Sequence, residues 1–194
     1  MSHSLRLYGS LTSPFVRRLR LLMDPGTYDF VNLDIYGADR ARLREISPVL
    51  KIPVLEDGET RIFDSRVIQR YLADKGLVER IPWSKENTLT VIDGVGDSLV
   101  NVLLLKRSGV VLDPASVLGK SHTERVKDSL ALLESQIQAA DFAHWDFLSQ
   151  SLYSLLDWCL FRELVDLSAY PRLLMFVSTH KNQFRVQETD PRKA

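Results

Sequence analysis

The spacing of apolar residues divides the chain into two parts of different character. Up to residue 77, short runs with a period of two alternate with segments of helical period, which predicts the order β-α-β-α-β-β-α. The predicted strands are Leu5–Tyr8, Asp29–Ile35 and the two arms of a hairpin over 54–63 that turns at Asp57-Gly58. The predicted helices are Pro14–Met23, Ala38–Ile46 and a third that starts at Asp64 or Ser65 and ends at Gly76.

Beyond residue 77 the strand signals almost vanish. Residues 78–84 contain a proline and are typical of a linker, and the segments after them have helical spacing. The predicted helices are Ser84–Arg107, Ser116–Ala139, Ser154–Leu167 and Tyr170–His180, and the polar tail after them is expected to be loose. The pattern therefore predicts an α/β domain over 1–77, a linker over 78–84 and an all-helical domain over 85–194.

The amino-acid composition of the chain argues against several classes of function. The chain has 194 residues with 25 basic and 25 acidic side chains, so no net charge favours nucleic acid or an anionic membrane. The single cysteine, Cys159, excludes an intrachain disulfide, and its apolar neighbours predict a buried thiol. Four scattered histidines without metal-ligand spacing argue against a metal site. The N-terminal residues do not resemble a secretory leader and no long apolar run is evident, so we expect a cytoplasmic protein.

Candidate chemistry begins where the first strand ends. Ser13 followed by Pro14 is a helix start, since serine caps helices and proline suits the first helical position. A helix N-terminus also attracts an anion or a thiolate. Plain capping and an active-site role are both compatible with this motif. The basic side chains Arg17, Arg18 and Arg20 are expected mainly to form a solvated helix surface.

Three segments carry a resemblance to a known family. "TSPFVRRLR" resembles the segment joining the first strand and helix of glutathione S-transferases, "SPVLKIPVLEDGETRIFDSRVIQRYL" is similar to their glutathione-site signature, and "SLLDW" resembles the capping box of their helical domain. The resemblance is closest to small bacterial members that begin Thr-Ser-Pro-Phe. It implies a thioredoxin-like domain followed by a helical bundle, a cytosolic homodimer, and a detoxifying reaction between glutathione and a small electrophile, without a metal.

The resemblance also implies roles for individual residues. Ser13, or Thr12 beside it, would stabilise the glutathione thiolate. Ile52 would pair with the tripeptide through its backbone beside a cis Pro53, and Lys51 would reach a carboxylate. Asp64 and Ser65 would hold the γ-glutamyl ammonium and carboxylate groups, and residues around Leu99–Leu105 would contact the electrophile. The family usually has glycine where this chain has Leu50, so we expect the loop before Ile52 to differ in shape.

Two other functions stay open at this level. A non-catalytic regulator on the same scaffold, like the bacterial stringent-starvation proteins, would act through a protein partner, and Leu50 favours it. A disulfide reductase would need a cysteine where this chain has Ser13, although peroxide reduction by glutathione itself would not.

Overall fold

The computed structural model describes residues 5–138 and 142–194, which form two compact units. One unit comprises the chain as far as Ile81 together with Asn182–Ala194, and the other comprises Pro82–Lys181. This division differs from the expected helical domain over 85–194, because Asn182–Ala194 group with the N-terminal unit.

The first unit is built on a four-stranded sheet of order β2-β1-β3-β4. Its strands are β1 (Leu5–Gly9), β2 (Tyr28–Asn32), β3 (Val54–Asp57) and β4 (Thr60–Phe63). Strand β1 runs parallel to β2 and antiparallel to β3, and β3 and β4 form the hairpin. The helices are α1 (Pro14–Leu22), α2 (Arg40–Ile46) and α3 (Ser65–Asp74), so the predicted order of elements is confirmed.

Both faces of this sheet are covered, because successive strand residues point to opposite sides. Tyr8 and Val54 pack on one face against Leu43 and Ile46 of α2. Leu7 and Leu55 form the neighbouring pair across the two strands and therefore face the other way, where they are fully buried on the side of α1 and α3. The unit thus has the three layers of a thioredoxin-like domain.

The second unit is helical in the residues described. It contains α4 (Trp83–Arg107), α5 (Val117–Gln136), α6 (Phe147–Arg162) and α7 (Pro171–His180), with a 3₁₀ turn at Leu167–Ala169. Helix α4 packs against α5 and α6, and α7 packs against α5 and α6. The predicted end of α5 at Ala139 lies outside the described residues.

The start of α6 differs from the sequence prediction. The helix begins at Phe147, because the carboxylate of Asp146 accepts the backbone N–H groups of Leu148 at 3.0 Å and Ser149 at 3.1 Å. Ser154, the predicted first residue, lies in the middle of the helix and is fully buried. The expected capping box at "SLLD" is therefore wrong.

The C-terminal tail is ordered by buried contacts rather than loose. Val186 and Thr189 are 1% exposed, and the guanidinium of Arg185 donates to the carbonyl of Met23 at 2.7 Å. Arg185 also forms an ion pair with Glu188, which lowers the pKa of that carboxyl group. These contacts attach the tail to the end of α1.

Helix α4 is relevant to the expectation that no segment of this chain spans a membrane. Among the described helices it alone has the length and apolar composition that crossing a membrane would need. The core helix of a soluble protein meets the same criteria, so this is weak evidence.

Candidate functional site

Strand register brings the three candidate segments to one edge of the sheet. Tyr8 pairs with Val54, and Val54 pairs with Phe63, so these residues form a row across β1, β3 and β4. Residues 10–13 follow the end of β1, residues 50–53 come directly before β3, and residues 64–65 come directly after β4. Because the three strands share this register, all three segments leave the sheet at the same end.

The first segment is a tight turn that ends at the cap of α1. The N–H of Ser13 donates to the Ser10 carbonyl at 3.1 Å, and the Ser13 hydroxyl oxygen accepts the Val16 N–H at 3.3 Å. This confirms the predicted cap. Since the hydroxyl acts here as an acceptor, its own O–H can still donate to another group.

Thr12 is placed differently from Ser13. Its hydroxyl lies 3.2 Å from the hydroxyl of Ser10, whose oxygen also accepts the Thr12 N–H at 3.4 Å. The two hydroxyl groups share one hydrogen bond, so the Thr12 hydroxyl is engaged within the turn.

Asn32 and Gly9 position this turn, and the sequence analysis did not identify either. The side-chain oxygen of Asn32 accepts the Leu11 N–H at 3.1 Å, which ties the turn to the end of β2. A Cβ atom at Gly9 would lie 2.4 Å from a methyl carbon of Val16. Glycine is therefore required here for α1 to pack closely on β1.

The second segment is held by a buried serine. The Ser47 hydroxyl donates to the Lys51 carbonyl at 3.0 Å, and its oxygen accepts the Lys51 N–H at 3.3 Å. Leu50 has a φ of 53°, in the left-handed region that favours glycine. The side chain of Lys51 is exposed.

The peptide bond between Ile52 and Pro53 is cis, as the resemblance implied. Ile52 precedes the paired part of β3, and within the described ranges its backbone N–H and C=O have no hydrogen-bond partner. Both groups are therefore available to an added strand.

The third segment is the start of α3. Asp64 has a φ of 70°, and its carboxylate accepts the N–H groups of Arg66 at 2.8 Å and Val67 at 3.2 Å. Ser65 is 1% exposed, and no acceptor for its backbone N–H lies in the part of the chain that the structure describes. Buried donors of this kind normally have a partner, so an acceptor group of a ligand would satisfy the N–H at this helix end.

The basic residues of α1 contradict the expectation of a solvated surface. Arg17, Arg18 and Arg20 are all buried, at 3%, 2% and 8% exposure. Arg17 donates to Thr189 and Val186 of the tail, and the Arg20 guanidinium lies 4.5 Å from the ring centre of Phe30. Burial lowers the pKa of Arg20.

Arg18 reaches the candidate site directly. Its Nε and Nη2 atoms donate to the hydroxyl oxygen of Ser65 at 3.0 and 2.6 Å. No sequence pattern indicates this contact, because the two residues lie on different helices and are 47 positions apart.

Cys159 lies in α6, which belongs to the second unit. The thiol is fully buried, as predicted, and burial raises its pKa from 9.0 to about 12. The neutral thiol therefore dominates at physiological pH, and a nucleophilic role is unfavourable. No cluster of histidine, cysteine and carboxylate side chains suited to a metal occurs within 5–138 and 142–194.

Sequence comparisons find similarity to glutathione S-transferases. The family model for the glutathione S-transferase N-terminal domain matches residues 7–76. The chain is 26% identical over 160 residues to glutathione S-transferase 4 of Zea mays, which covers 75% of this chain and 72% of the maize protein. It is 44% identical over 72 residues to the uncharacterized GST-like protein YibF of Escherichia coli, covering 35% of each.

Solved structures extend the similarity over nearly the full length. A glutathione S-transferase from Methylobacillus flagellatus with glutathione bound has a TM-score of 0.82 at 21% identity, covering 97% of this chain and all of the other. A glutathione transferase family member from Pseudomonas fluorescens Pf-5 with bound glutathione has a TM-score of 0.78 at 25% identity, covering 97% and 99%.

Proposed function

Because the chain belongs to the glutathione S-transferase superfamily, we propose that it binds reduced glutathione and conjugates it to a small electrophile. The observation that carries this proposal is the shared strand register, which brings a helix cap, an unpaired strand edge and a second helix start to one end of the sheet. The helix cap suits the binding of a thiol, the unpaired strand edge suits a peptide backbone, and the second helix start suits a carboxylate.

Ser13 is the proposed partner of the glutathione sulfur. Its O–H is free to donate while its oxygen caps α1, and the helix end adds positive potential. Both effects favour a thiolate over a thiol. The thiolate would then form a C–S bond to the electrophilic carbon as the leaving group departs with the bonding electrons. Thr12 is a weaker candidate, because its hydroxyl is engaged with Ser10.

Ile52 and the start of α3 would hold the rest of the tripeptide. The backbone N–H and C=O of Ile52 suit pairing with an extended peptide. The N–H and O–H groups of Ser65 are two donors for the γ-glutamyl carboxylate at a helix N-terminus. Asp64 would attract the ammonium group, and the exposed Lys51 would attract the glycyl carboxylate.

The presence of Leu50 does not favour a non-catalytic regulator over the enzyme. It adopts the left-handed conformation in which glycine is favoured, so the substitution of leucine for glycine does not by itself change the direction of the loop. The regulator therefore ranks behind the enzyme.

Calorimetric titration with reduced glutathione is the first test of the proposal. We expect dissociation constants from micromolar to low millimolar, and weaker binding by Ser65→Ala. Absence of binding at several millimolar would overturn the enzyme proposal and favour a protein partner.

The role of Ser13 is tested by separating capping from thiolate stabilisation. Asp caps helices as well as Ser does, so Ser13→Asp should retain the stability of α1. Its carboxylate would repel a thiolate, so conjugation of an activated aryl halide should fall about a hundredfold or more. Ser13→Ala should lose both the cap and activity. Full activity in Ser13→Asp would refute the assigned role, and Thr12→Ala tests the neighbouring hydroxyl in the same assay.

A homodimer in the cytoplasm is part of the same proposal. The family arrangement would set α3 of one copy against α4 of the other, and Val67 on α3 is 47% exposed. Light scattering at micromolar concentration distinguishes the dimer from a monomer. The electrophile is expected to contact α4 around Leu99–Leu105, and its consumption would be a detoxifying reaction.

A further inference from the structure

We infer that Arg18 is a positioning residue for glutathione, which acts by turning the Ser65 hydroxyl group into an obligate donor. This inference rests on the proposed function, and it assigns a role to a helix α1 side chain that neither touches the sulfur nor lies in the glutathione-site signature. Arg18 and Ser65 are 2% and 1% exposed, so their contact is protected from water.

The contact geometry fixes the direction of the serine hydrogen bond. Arg18 Nε at 3.0 Å and Nη2 at 2.6 Å both donate to the one hydroxyl oxygen of Ser65. A hydroxyl oxygen has two lone pairs, and a guanidinium has only donors. Because both lone pairs of the Ser65 hydroxyl oxygen accept from Arg18, this hydroxyl group can form a further hydrogen bond only by donating its O–H to an acceptor.

This arrangement discriminates between ligand groups. Asp64 occupies the N–H groups of Arg66 and Val67, so the outward donors at this helix end are the N–H and O–H of Ser65. Two adjacent donors backed by a buried guanidinium complement a carboxylate, whereas an ammonium group would find no acceptor on Ser65. The γ-glutamyl carboxylate is therefore the part of glutathione that depends on Arg18.

A double-mutant cycle tests this dependence. The glutathione dissociation constant is measured by calorimetry for the wild type, Arg18→Met, Ser65→Ala and the double variant. Because hydrogen bonds to charged groups are among the stronger ones, Arg18→Met should weaken binding about tenfold to a hundredfold. In the Ser65→Ala background the same change should have less than about a twofold effect, because the hydroxyl group it orients is gone.

Two controls separate positioning from a general loss of structure. Arg17→Met removes a neighbouring buried guanidinium that contacts the tail instead of Ser65, and glutathione should bind it within about twofold of wild type. Cysteinylglycine lacks the γ-glutamyl group, so its affinity should not change in Arg18→Met. If Arg18→Met does not fold, Arg18→Lys retains the charge without the fork and should give an intermediate loss.

The outcomes are distinguishable from those of the proposed function. Wild type that does not bind glutathione overturns both the function and this inference. Two results would overturn the inference alone, provided that the wild type binds glutathione. In the first, Arg18→Met binds glutathione as tightly as the wild type. In the second, Arg18→Met weakens binding equally in the wild-type and the Ser65→Ala backgrounds. Equal weakening of glutathione and cysteinylglycine also overturns it, since the effect would then not pass through the γ-glutamyl carboxylate.

Discussion

The Gly9→Ala substitution probes how closely α1 must approach the sheet. The added Cβ would lie 2.4 and 2.7 Å from the two methyl carbons of Val16, about 1 Å inside ordinary contact. Val16 is fully buried and β-branched, so it cannot rotate away freely. We expect a loss of about 2–3 kcal/mol in the free energy of unfolding, at the upper end of the range for overpacked cores.

A second substitution should relieve the clash. Val16→Ala removes both methyl carbons and by itself should cost about 2 kcal/mol, from about 0.8 kcal/mol for each buried carbon group plus a cavity contribution. In the double variant the new methyl at position 9 occupies part of the space that Val16 leaves. The double variant should therefore be about as stable as Val16→Ala alone, rather than showing the sum of the two losses.

Urea unfolding followed by circular dichroism measures these differences. The midpoint should fall in Gly9→Ala with an unchanged slope, which marks a change in stability rather than in unfolded-state compactness. A change below about 0.5 kcal/mol in Gly9→Ala would refute the packing argument. Additive losses in the double variant would show that the clash is not with Val16.

Three further predictions concern other parts of the chain. Leu50→Gly should be more stable than Leu50→Ala by about 1 kcal/mol in urea, because only glycine adopts a left-handed φ without cost; the reverse order would contradict the assigned backbone conformation. Cys159 should react with iodoacetamide at pH 8 only as fast as the protein unfolds, since burial raises its pKa to about 12 and thiolate forms only as the pH rises toward that value; labelling at the rate of a free thiol would refute its burial. Thr189→Val should cost about 1–3 kcal/mol, because the buried hydroxyl accepts from Arg17 at 3.3 Å; a neutral result in thermal unfolding would show that the tail does not depend on this bond.

The elements and caps of the first unit were predictable because they are encoded locally. Ser13 and Asp64 each bond to N–H groups two or three residues away. The hairpin was also predicted, although its turn lies at Gly58-Glu59, one residue beyond the predicted Asp57-Gly58, because Asp57 still pairs with Thr60. The cis bond before Pro53 was predictable only through the resemblance, since an Ile-Pro pair alone is usually trans.

The buried arginines were not predictable because their acceptors are remote in sequence. Arg17 bonds to Thr189, 172 positions away, and Arg18 bonds to Ser65, 47 positions away. Helical periodicity compares residues at most one or two turns apart, so it assigns such charged side chains to solvent. The error at α6 has a different cause, because Ser154 resembles a cap although it lies inside a helix that Asp146 begins through local hydrogen bonds.

The return of the tail to the first unit has a consequence for biosynthesis. Arg17 is translated early, yet Val186 and Thr189, which accept its hydrogen bonds, are added about 170 residues later. At roughly 5–20 residues per second, the nascent chain would hold this buried guanidinium without these two acceptors for about 10–30 s. The N-terminal unit can therefore complete its packing only after the helical unit and the tail that follows it have been synthesised.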